Sequence, residues 1–389
     1  MSHVLTLNAG SSSLKFGLFE TATDPVAVLT GLIDQIGGAA TIKVKDAADE
    51  TLAFAELSPE QAANHVGAVQ ASLEQIATYF PEARIQAVGH RIVHGGAEFS
   101  APVEITDDVL GRLESFVPLA PLHQPHNLAG IAAAIEAFPE ARQVACFDTA
   151  FHRQHSFVQD TYGLPRAYYD KGVRRYGFHG SSYEFISGAV AEIDPALHDG
   201  RVAVAHLGNG ASICGIHGGK SVASTMGFSP LDGVAMGTRP GQIDPGVLLY
   251  LMSEENMSAA QISDLLYTES GLLGLSGLSN DMRSLLASDT VEAAQAIDYF
   301  CTRIRMEIGS LAAAMQGLDG LVFTGGIGEN AAAIRAQICA GLGWLGIEMD
   351  NARNAAPDPR ISTDNSPVPV MVIPTNEELV IARAAARLL

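Results

Sequence analysis

Cysteine is scarce in this chain of 389 residues: Cys146, Cys214, Cys301 and Cys339 lie far apart, with no C-x-x-C pair. That spacing excludes a disulfide scaffold and a thiolate zinc site, and it suits buried thiols in a reducing compartment. Positive charge is scarce too, with 23 Lys and Arg against 43 Asp and Glu and a net charge of -20. Such a field repels phosphate backbones and anionic membrane surfaces, so neither nucleic acid nor a membrane is an expected partner. An anionic small substrate needs a local island of Arg, Lys, backbone N–H groups or metal to overcome that field. The chain has no uncharged apolar run of about 20 residues, and MSHVLTLNAG has no basic n-region, so a cytoplasmic protein is expected. Pro- or Ser-rich linkers and low-complexity tracts are missing as well. Neither G-x-x-x-x-G-K-[ST] nor a strand-linked G-x-G-x-x-G occurs, which excludes a Walker P-loop and a Rossmann fingerprint.

What is present is globular: 47% hydrophobic residues and 39 glycines, in a length that suits one large domain or two of ordinary size. From Val4 the order VLTLN, AGSSS, LKFGLFE predicts a hairpin with a polar tip. It recurs from Val202 as VAVAH, LGNG, ASICGIH, and an ungapped shift of 198 residues places Gly10 on Gly208 and Gly17 on Gly215. Strands are further expected at RIQAVGHRIV, RQVACFDTAF, LVFT and PVMVIP, and helices at HVGAVQASLEQIATYF, NLAGIAAAIEAFPE, AAQAIDYFCTRIRMEIGSLAAAMQG and EELVIARAAARLL. Alternating strands and helices with a duplicated hairpin argue for an α/β protein of two similar lobes, divided near residue 150, with a cleft between them.

Three short Gly/Ser turns are expected at strand ends: Asn8–Ser13, with the hydroxyls of Ser11 and Ser13, Leu207–Gly210 and Gly325–Gly328. Each alone could be an ordinary turn; together they suit backbone N–H groups and hydroxyls closing on phosphate oxygens. Lys15, on an apolar strand just past the first turn, reads either as a phosphate contact or as an exposed edge lysine. GHRIVHGG sets Arg91 where a guanidinium could grip a carboxylate or phosphate. The flanking glycines disfavour one helical face for His90 and His94, hence a zinc pair. Arg239 lies in the breaker-rich STMGFSPLDGVAMGTRPGQIDPG, which is either a solvent loop or a rigid holder for one arginine. His179 stands in a turn in RRYGFHGSS. Asp148 ends an apolar strand, so a metal or cation is expected beside it. Thr375 and Glu378 read as a capping box, leaving Glu377 as the better metal candidate.

With these residues assembled, the chain resembles the acetate and propionate kinase family, within the actin-like, sugar-kinase-like ATPase fold. The resemblance runs through LNAGSSSLKF, GHRIVHGG, PLHQPHNL, CFDTAFH, RRYGFHGSS, HLGNGAS, MGFSPLDGVAMGTRPGQIDP, SGLLGLSG, FTGGIGEN and IPTNEELVIAR. It implies reversible transfer of the ATP γ-phosphoryl group to acetate, giving acetyl phosphate and ADP, with magnesium (or manganese). It further implies two actin-like lobes with mixed sheets and a nucleotide cleft between them. The first is 1–149, joined by the final helix at 376–389; the second, 150–375, binds nucleotide and forms a homodimer.

By the same resemblance Asn8 and Glu377 fall on magnesium positions. Ser11, Ser13 and Lys15 fall on nucleotide-phosphate positions. His206, Leu207, Gly208, Asn209 and Gly210 match a nucleotide-binding segment, as do Asp281, Met282 and Arg283, and Gly326, Ile327, Gly328, Glu329 and Asn330. Arg91 and Arg239 match the arginines on the carboxylate and the moving phosphoryl group, His179 the transition-state stabiliser and Asp148 the catalytic acidic position. Val93, Leu122, Phe178 and Pro230 match the pocket around the acetate methyl. The chain departs from the family in SSYEF, where Tyr183 stands at a usual histidine, and in lacking the common Met-Pro after AFHRQ. Propionate kinase is the nearest rival, since one methylene discriminates by only about 1–3 kcal/mol. Butyrate kinase ranks lower. A non-catalytic ATP-driven clamp and a sugar kinase are both disfavoured by the two arginines.

Overall fold

The computed structural model describes residues 2–10, 12–21, 24–356 and 358–389; Ser11 lies outside them. The chain forms two compact units, residues 1–153 with 376–389, and residues 154–375. The division falls after Arg153, and the last helix belongs to the first unit.

The first unit is built on an eight-stranded mixed sheet. Its strands are β1 (Ser2–Ala9), β2 (Ser13–Glu20), β3 (Val26–Asp34), β4 (Thr41–Asp46), β5 (Thr51–Glu56), β6 (Arg84–Ile92), β7 (Val103–Glu104) and β8 (Arg142–Phe147), in the order β5-β4-β3-β2-β1-β6-β8-β7. β1 to β5 form an antiparallel meander, while β1, β6 and β8 run parallel. From His3 to Ala9 every residue of β1 is buried, as expected of a strand covered on both faces. On one face Leu5, Leu7, Phe16 and Leu18 pack with Ala68, Val69 and Ala134 of the helices His65–Tyr79 and Gln124–Ala137. On the other, Val4, Phe19, Ala87 and Val144 meet Ile381, Ala382 and Ala385 of the helix Glu377–Arg387. Gly89 makes that approach possible, because a Cβ there would stand 2.5 Å from Ile381 Cγ2.

The second unit holds a five-stranded sheet in the order β11-β10-β9-β12-β13, from β9 (Arg201–Leu207), β10 (Ala211–His217), β11 (Lys220–Ser224), β12 (Gly320–Thr324) and β13 (Val370–Val372). The hairpin β9–β10 again leads a parallel set, β9, β12 and β13. The closing pairs are Ala9↔Leu14 and Leu207↔Ala211, so the second turn is one residue shorter. The ungapped shift therefore loses register past the turn: Gly17 faces Thr6, but Gly215 faces Ala203.

The helix Val291–Met315 covers this sheet with a stripe including Ala293, Ile297, Phe300, Ile304, Ile308 and Leu311, and Thr290 Oγ1 caps it by accepting the Ala293 N–H at 3.3 Å. Among the described residues no helix is long and apolar enough to cross a membrane. The expected turn at Gly325–Gly328 is instead the start of a helix, Gly325–Asn330, with a second helix at Ala332–Cys339. Gly325 takes a left-handed φ of 77°, and a Cβ there would lie 2.8 Å from Leu207 O, so helix and strand end come together only because it is glycine.

Candidate active site

In the first unit the site residues collect where β1, β6 and β8 end. Arg91 lies on β6, and Asp148 follows β8, its N–H donating to Ile92 O at 3.0 Å. Arg91 Nε donates to Asp148 Oδ1 at 2.9 Å and Nη2 to Oδ2 at 2.6 Å, while Nη1 donates to Asn8 Oδ1 at 3.0 Å. The cation expected beside the buried Asp148 is thus the Arg91 guanidinium. Burial works against the charge on Arg91, but the charge and hydrogen bonds of Asp148, aided by Glu377 and Glu378, outweigh it and hold the guanidinium above its ordinary pKa.

Glu377 opens the helix Glu377–Arg387, and burial pushes its carboxyl up in pKa against the pull of Arg91. The expected capping box is absent. Asn376 is the cap, its Oδ1 accepting the Leu379 N–H at 3.0 Å, whereas Thr375 Oγ1 and Glu378 Oε1 are buried without a hydrogen-bond partner. A short amide one residue nearer the helix wins the cap position. Lys15, opposite Asn8 across β1 and β2, is exposed and lines a cavity of about 440 Å³ with Lys43, Lys45 and Glu378. Ser13 opens β2, its carbonyl accepting the Gly10 N–H at 2.8 Å.

Val93 is buried, its N–H donating to Asn127 Oδ1 at 3.0 Å, while Leu122 is 43% exposed. Asn127, in PLHQPHNL, carries no local signal of this role. Its Nδ2 also donates to Ala9 O at 3.1 Å, so one amide ties the ends of β1 and β6. His90 and His94 do not share a ligand: His90 Nε2 lies 2.8 Å from Gln143 Oε1, and His94 Nδ1 accepts the Gly96 N–H at 2.9 Å. Among the described residues no three His, Cys, Asp or Glu side chains form a metal cluster.

In the second unit His179 precedes the helix Gly180–Ile193 in a left-handed conformation, φ 58°. Its Nδ1 lies 2.8 Å from Ser212 Oγ, and its ring stacks on His206 with centroids 4.4 Å apart. Nε2 faces Gly210: a Cβ built there would be 3.4 Å from His179 Nε2 and 3.9 Å from Arg239 Nη1. His179 and Arg239 therefore converge on one turn.

Arg239 Nη1 donates to Pro230 O at 3.2 Å and to Met236 Sδ at 3.6 Å. The segment around it is packed, with Met226, Val234, Ala235 and Met236 buried, and a Cβ at Gly241 would stand 2.5 Å from Gly233 O. It is a rigid holder, not a solvent loop. Phe178 and Pro230 are buried within the same unit.

The turn Leu207–Gly210 closes by Gly208 N–H donating to Gly210 O at 3.1 Å, and it sits beside the helix Gly325–Asn330 through the pair Thr324↔His206. Gly326, Ile327 and Gly328 lie in that short helix. Glu329 and Asn330 turn back on their own surroundings: Glu329 Oε1 accepts the N–H groups of Gly325 at 2.9 Å and Thr375 at 3.2 Å, and Asn330 Nδ2 donates to Gly326 O at 2.9 Å. Asp281 caps the helix Met282–Leu286 by accepting the Arg283 N–H at 3.0 Å, and it pairs with the Arg283 side chain at 2.8 Å; Met282 is buried. Asn209 Oδ1 accepts from Asn280 Nδ2 at 3.3 Å, which links this segment to the Leu207–Gly210 turn.

The model of the acetokinase family matches residues 3–383. The chain belongs to the acetokinase family. An acetate kinase of Methylocella silvestris is 53% identical over 394 residues, covering 99% of this chain and 98% of that protein. The crystal structure of Porphyromonas gingivalis acetate kinase superposes with a TM-score of 0.88 at 40% identity, covering 98% of each chain. That of a propionate kinase from Francisella tularensis does so with 0.91 at 38% identity, covering 99% of each. The chain is accordingly a phosphotransferase, and its mixed α/β fold is the one these enzymes share.

Proposed function

We propose that the chain is an acetate kinase, moving the γ-phosphoryl group of ATP reversibly to acetate to give acetyl phosphate and ADP. The observation that carries this reading is the engagement of both Asp148 oxygens by Arg91. A carboxylate so held is no general base, and acetate, already ionised at neutral pH, needs none; a sugar hydroxyl would. What such a transfer does need is alignment and neutralisation of charge. Arg91, steered by Asp148, is assigned to the anionic acceptor, and Arg239 with His179 to the moving phosphoryl group. Lys15 adds a point charge for the nucleotide phosphates, and the glycine segments 207–210 and 325–330 of the second unit supply backbone room and N–H groups for the nucleotide.

The oxygen donors near Arg91 suit magnesium. Asn8, Glu377 and the unpartnered Glu378 Oε1 are hard ligands, too few for an all-protein cage, which matches an ion held by one or two side chains and by substrate phosphates. When bound, the ion offsets charge on the phosphates, and manganese has the same oxygen preference. Glu377 would turn its carboxylate to it and Asn8 its amide oxygen.

Four cysteines, all buried, support a cytoplasmic setting. Apolar side chains left exposed on the second unit, Leu249 at 67%, Tyr250 at 53% and Trp344 at 74%, support a homodimer built through that unit. Propionate is the second reading, favoured by the Francisella likeness.

The test is acyl-hydroxamate formation with ATP, magnesium and hydroxylamine, comparing acetate, propionate, butyrate and no carboxylate, with magnesium omitted as control. Magnesium-dependent product, largest with acetate, is expected; no product from folded, ATP-binding protein would refute the reading.

A further inference from the structure

We propose that Tyr183, acting through Ser212, fixes the tautomer of His179 so that Nε2 carries the proton facing Gly210 and Arg239. The proposal rests on the phosphotransfer reading above and names the group that prepares its histidine.

The three side chains form one chain of short contacts. Tyr183 Oη lies 2.5 Å from Ser212 Oγ, and Ser212 Oγ lies 2.8 Å from His179 Nδ1. Tyr183 and Ser212 are both 0% exposed, so water does not stand in for a missing partner. The backbone fixes the same arrangement from the other side. The Tyr183 N–H donates to His179 O at 3.1 Å in the first turn of the helix Gly180–Ile193, and Ser212 is held in β10 opposite His206.

Each hydroxyl has one proton, and a neutral imidazole has one N–H. If Tyr183 donates to Ser212, the serine proton is directed to His179 Nδ1, which then accepts, and the imidazole proton stays on Nε2. If the chain runs in reverse, Nδ1 carries the proton and Nε2 presents a lone pair toward the place where an anionic phosphoryl group arrives. A phenol is the better donor and the poorer acceptor of the two hydroxyls, so the first direction is favoured. The neighbouring histidine is tethered in the same way, His206 Nδ1 lying 2.8 Å from Ser182 Oγ. Ser182 and Tyr183 thus orient two stacked imidazoles from adjacent positions of one helix. Tyr183 is a positioning residue, since nothing in the proposal has it touch substrate.

The experiment uses the full chain with ¹⁵N-labelled histidine. Long-range ¹H–¹⁵N correlation reads the His179 tautomer, with His179→Gln used only to assign the signal. Wild type is expected to show Nε2–H, and Tyr183→Phe, which keeps the ring, to show a mixture with Nδ1–H. In the hydroxamate assay Tyr183→Phe should lower kcat about ten-fold, with KM for acetate and ATP little changed. Ser212→Ala should cost roughly 10²-fold, and adding Tyr183→Phe to it should cost nothing further. A wild-type Nδ1–H tautomer, or Tyr183→Phe with tautomer and kcat unaltered, would overturn the proposal. Absence of acyl-phosphate formation in wild type would instead sink the function, and the correlation spectrum would still decide the relay.

Discussion

Arg91 and Asp148 meet as a two-point fork, and the Asp148 side chain is only 2% exposed. Each charge is tolerated because the other is there. Asp148→Ala leaves a guanidinium without its partner and is expected to cost about 3–5 kcal/mol of stability as well as activity. Asp148→Asn keeps the volume and one acceptor, so it should lose most of the turnover with a smaller drop in melting temperature. Thermal melts of both variants check this, and an unchanged melting temperature in Asp148→Ala would show that the fork is not structural. Arg91→Ala should likewise lower stability along with rate, since it strands the carboxylate.

Arg239 is a second probe of charge neutralisation, its Nη1 donating to Pro230 O and Met236 Sδ. Arg239→Ala is expected to reduce kcat by about 10²–10³-fold, with the circular dichroism spectrum unchanged. Arg239→Lys should recover part of the rate, lacking the planar fork. Near-wild-type turnover in the alanine variant would remove Arg239 from the mechanism.

Acid should destabilise the protein through its buried histidines. Burial lowers the pKa of His90 from 6.5 to about 4, despite the hydrogen bond to Gln143, and burial with the charge of Arg153 lowers that of His94 to about 3. Between 6.5 and about 4 the unfolded chain binds a proton at residue 90 that the folded chain refuses. The His90 contribution is therefore complete above pH 6.5, declines as pH falls and levels off below about 4; it amounts to roughly 3 kcal/mol. Melting temperatures of wild type and His90→Gln between pH 7 and 4.5 read it directly. The variant should show the shallower decline, and parallel curves would contradict the assignment.

The thiols should be silent in the native protein. Burial pushes Cys214, Cys301 and Cys339 up to about 12, and Cys146 is 3% exposed. Little thiolate forms at pH 8, and access is closed as well. A disulfide reagent such as Ellman's is expected to titrate no fast thiol in native protein and all four after unfolding. One rapid equivalent at native pH would place a cysteine at a reactive surface.

The two hairpins were legible because alternation and a glycine turn are local signals: VLTLN and LKFGLFE became β1 and β2, and VAVAH and ASICGIH became β9 and β10. β3, β4 and β5 went unread, although TIKVKD alternates and its Ile42 and Val44 are buried. In β3 and β5 apolar residues stand on both faces, Val26, Leu32, Leu52 and Phe54 being exposed, so no clean alternation marks them. At the site, the residue types near Arg91 were readable, but not that its fork closes on Asp148, which depends on β6 lying beside β8. Ser212 and Asn127 left no mark, because a serine or asparagine gains meaning only from what a distant strand places opposite it. The GGIG stretch misled for a local reason: glycines suggest a turn, and here Glu329 Oε1 binds the Gly325 N–H and closes a helical one.

The helix Glu377–Arg387 lies on β1, β6 and β8, strands made hundreds of residues earlier. During synthesis the ribosome finishes the first sheet long before it makes that cover. At about 5–20 residues per second the wait is on the order of ten to fifty seconds. Throughout it Val4, Phe19, Ala87 and Val144 have no lid, and Glu377 has not reached Arg91. A nascent chain, or one cut short before residue 377, thus presents a sticky strip to chaperones and proteases, and the first unit matures only after the whole of the second has been made.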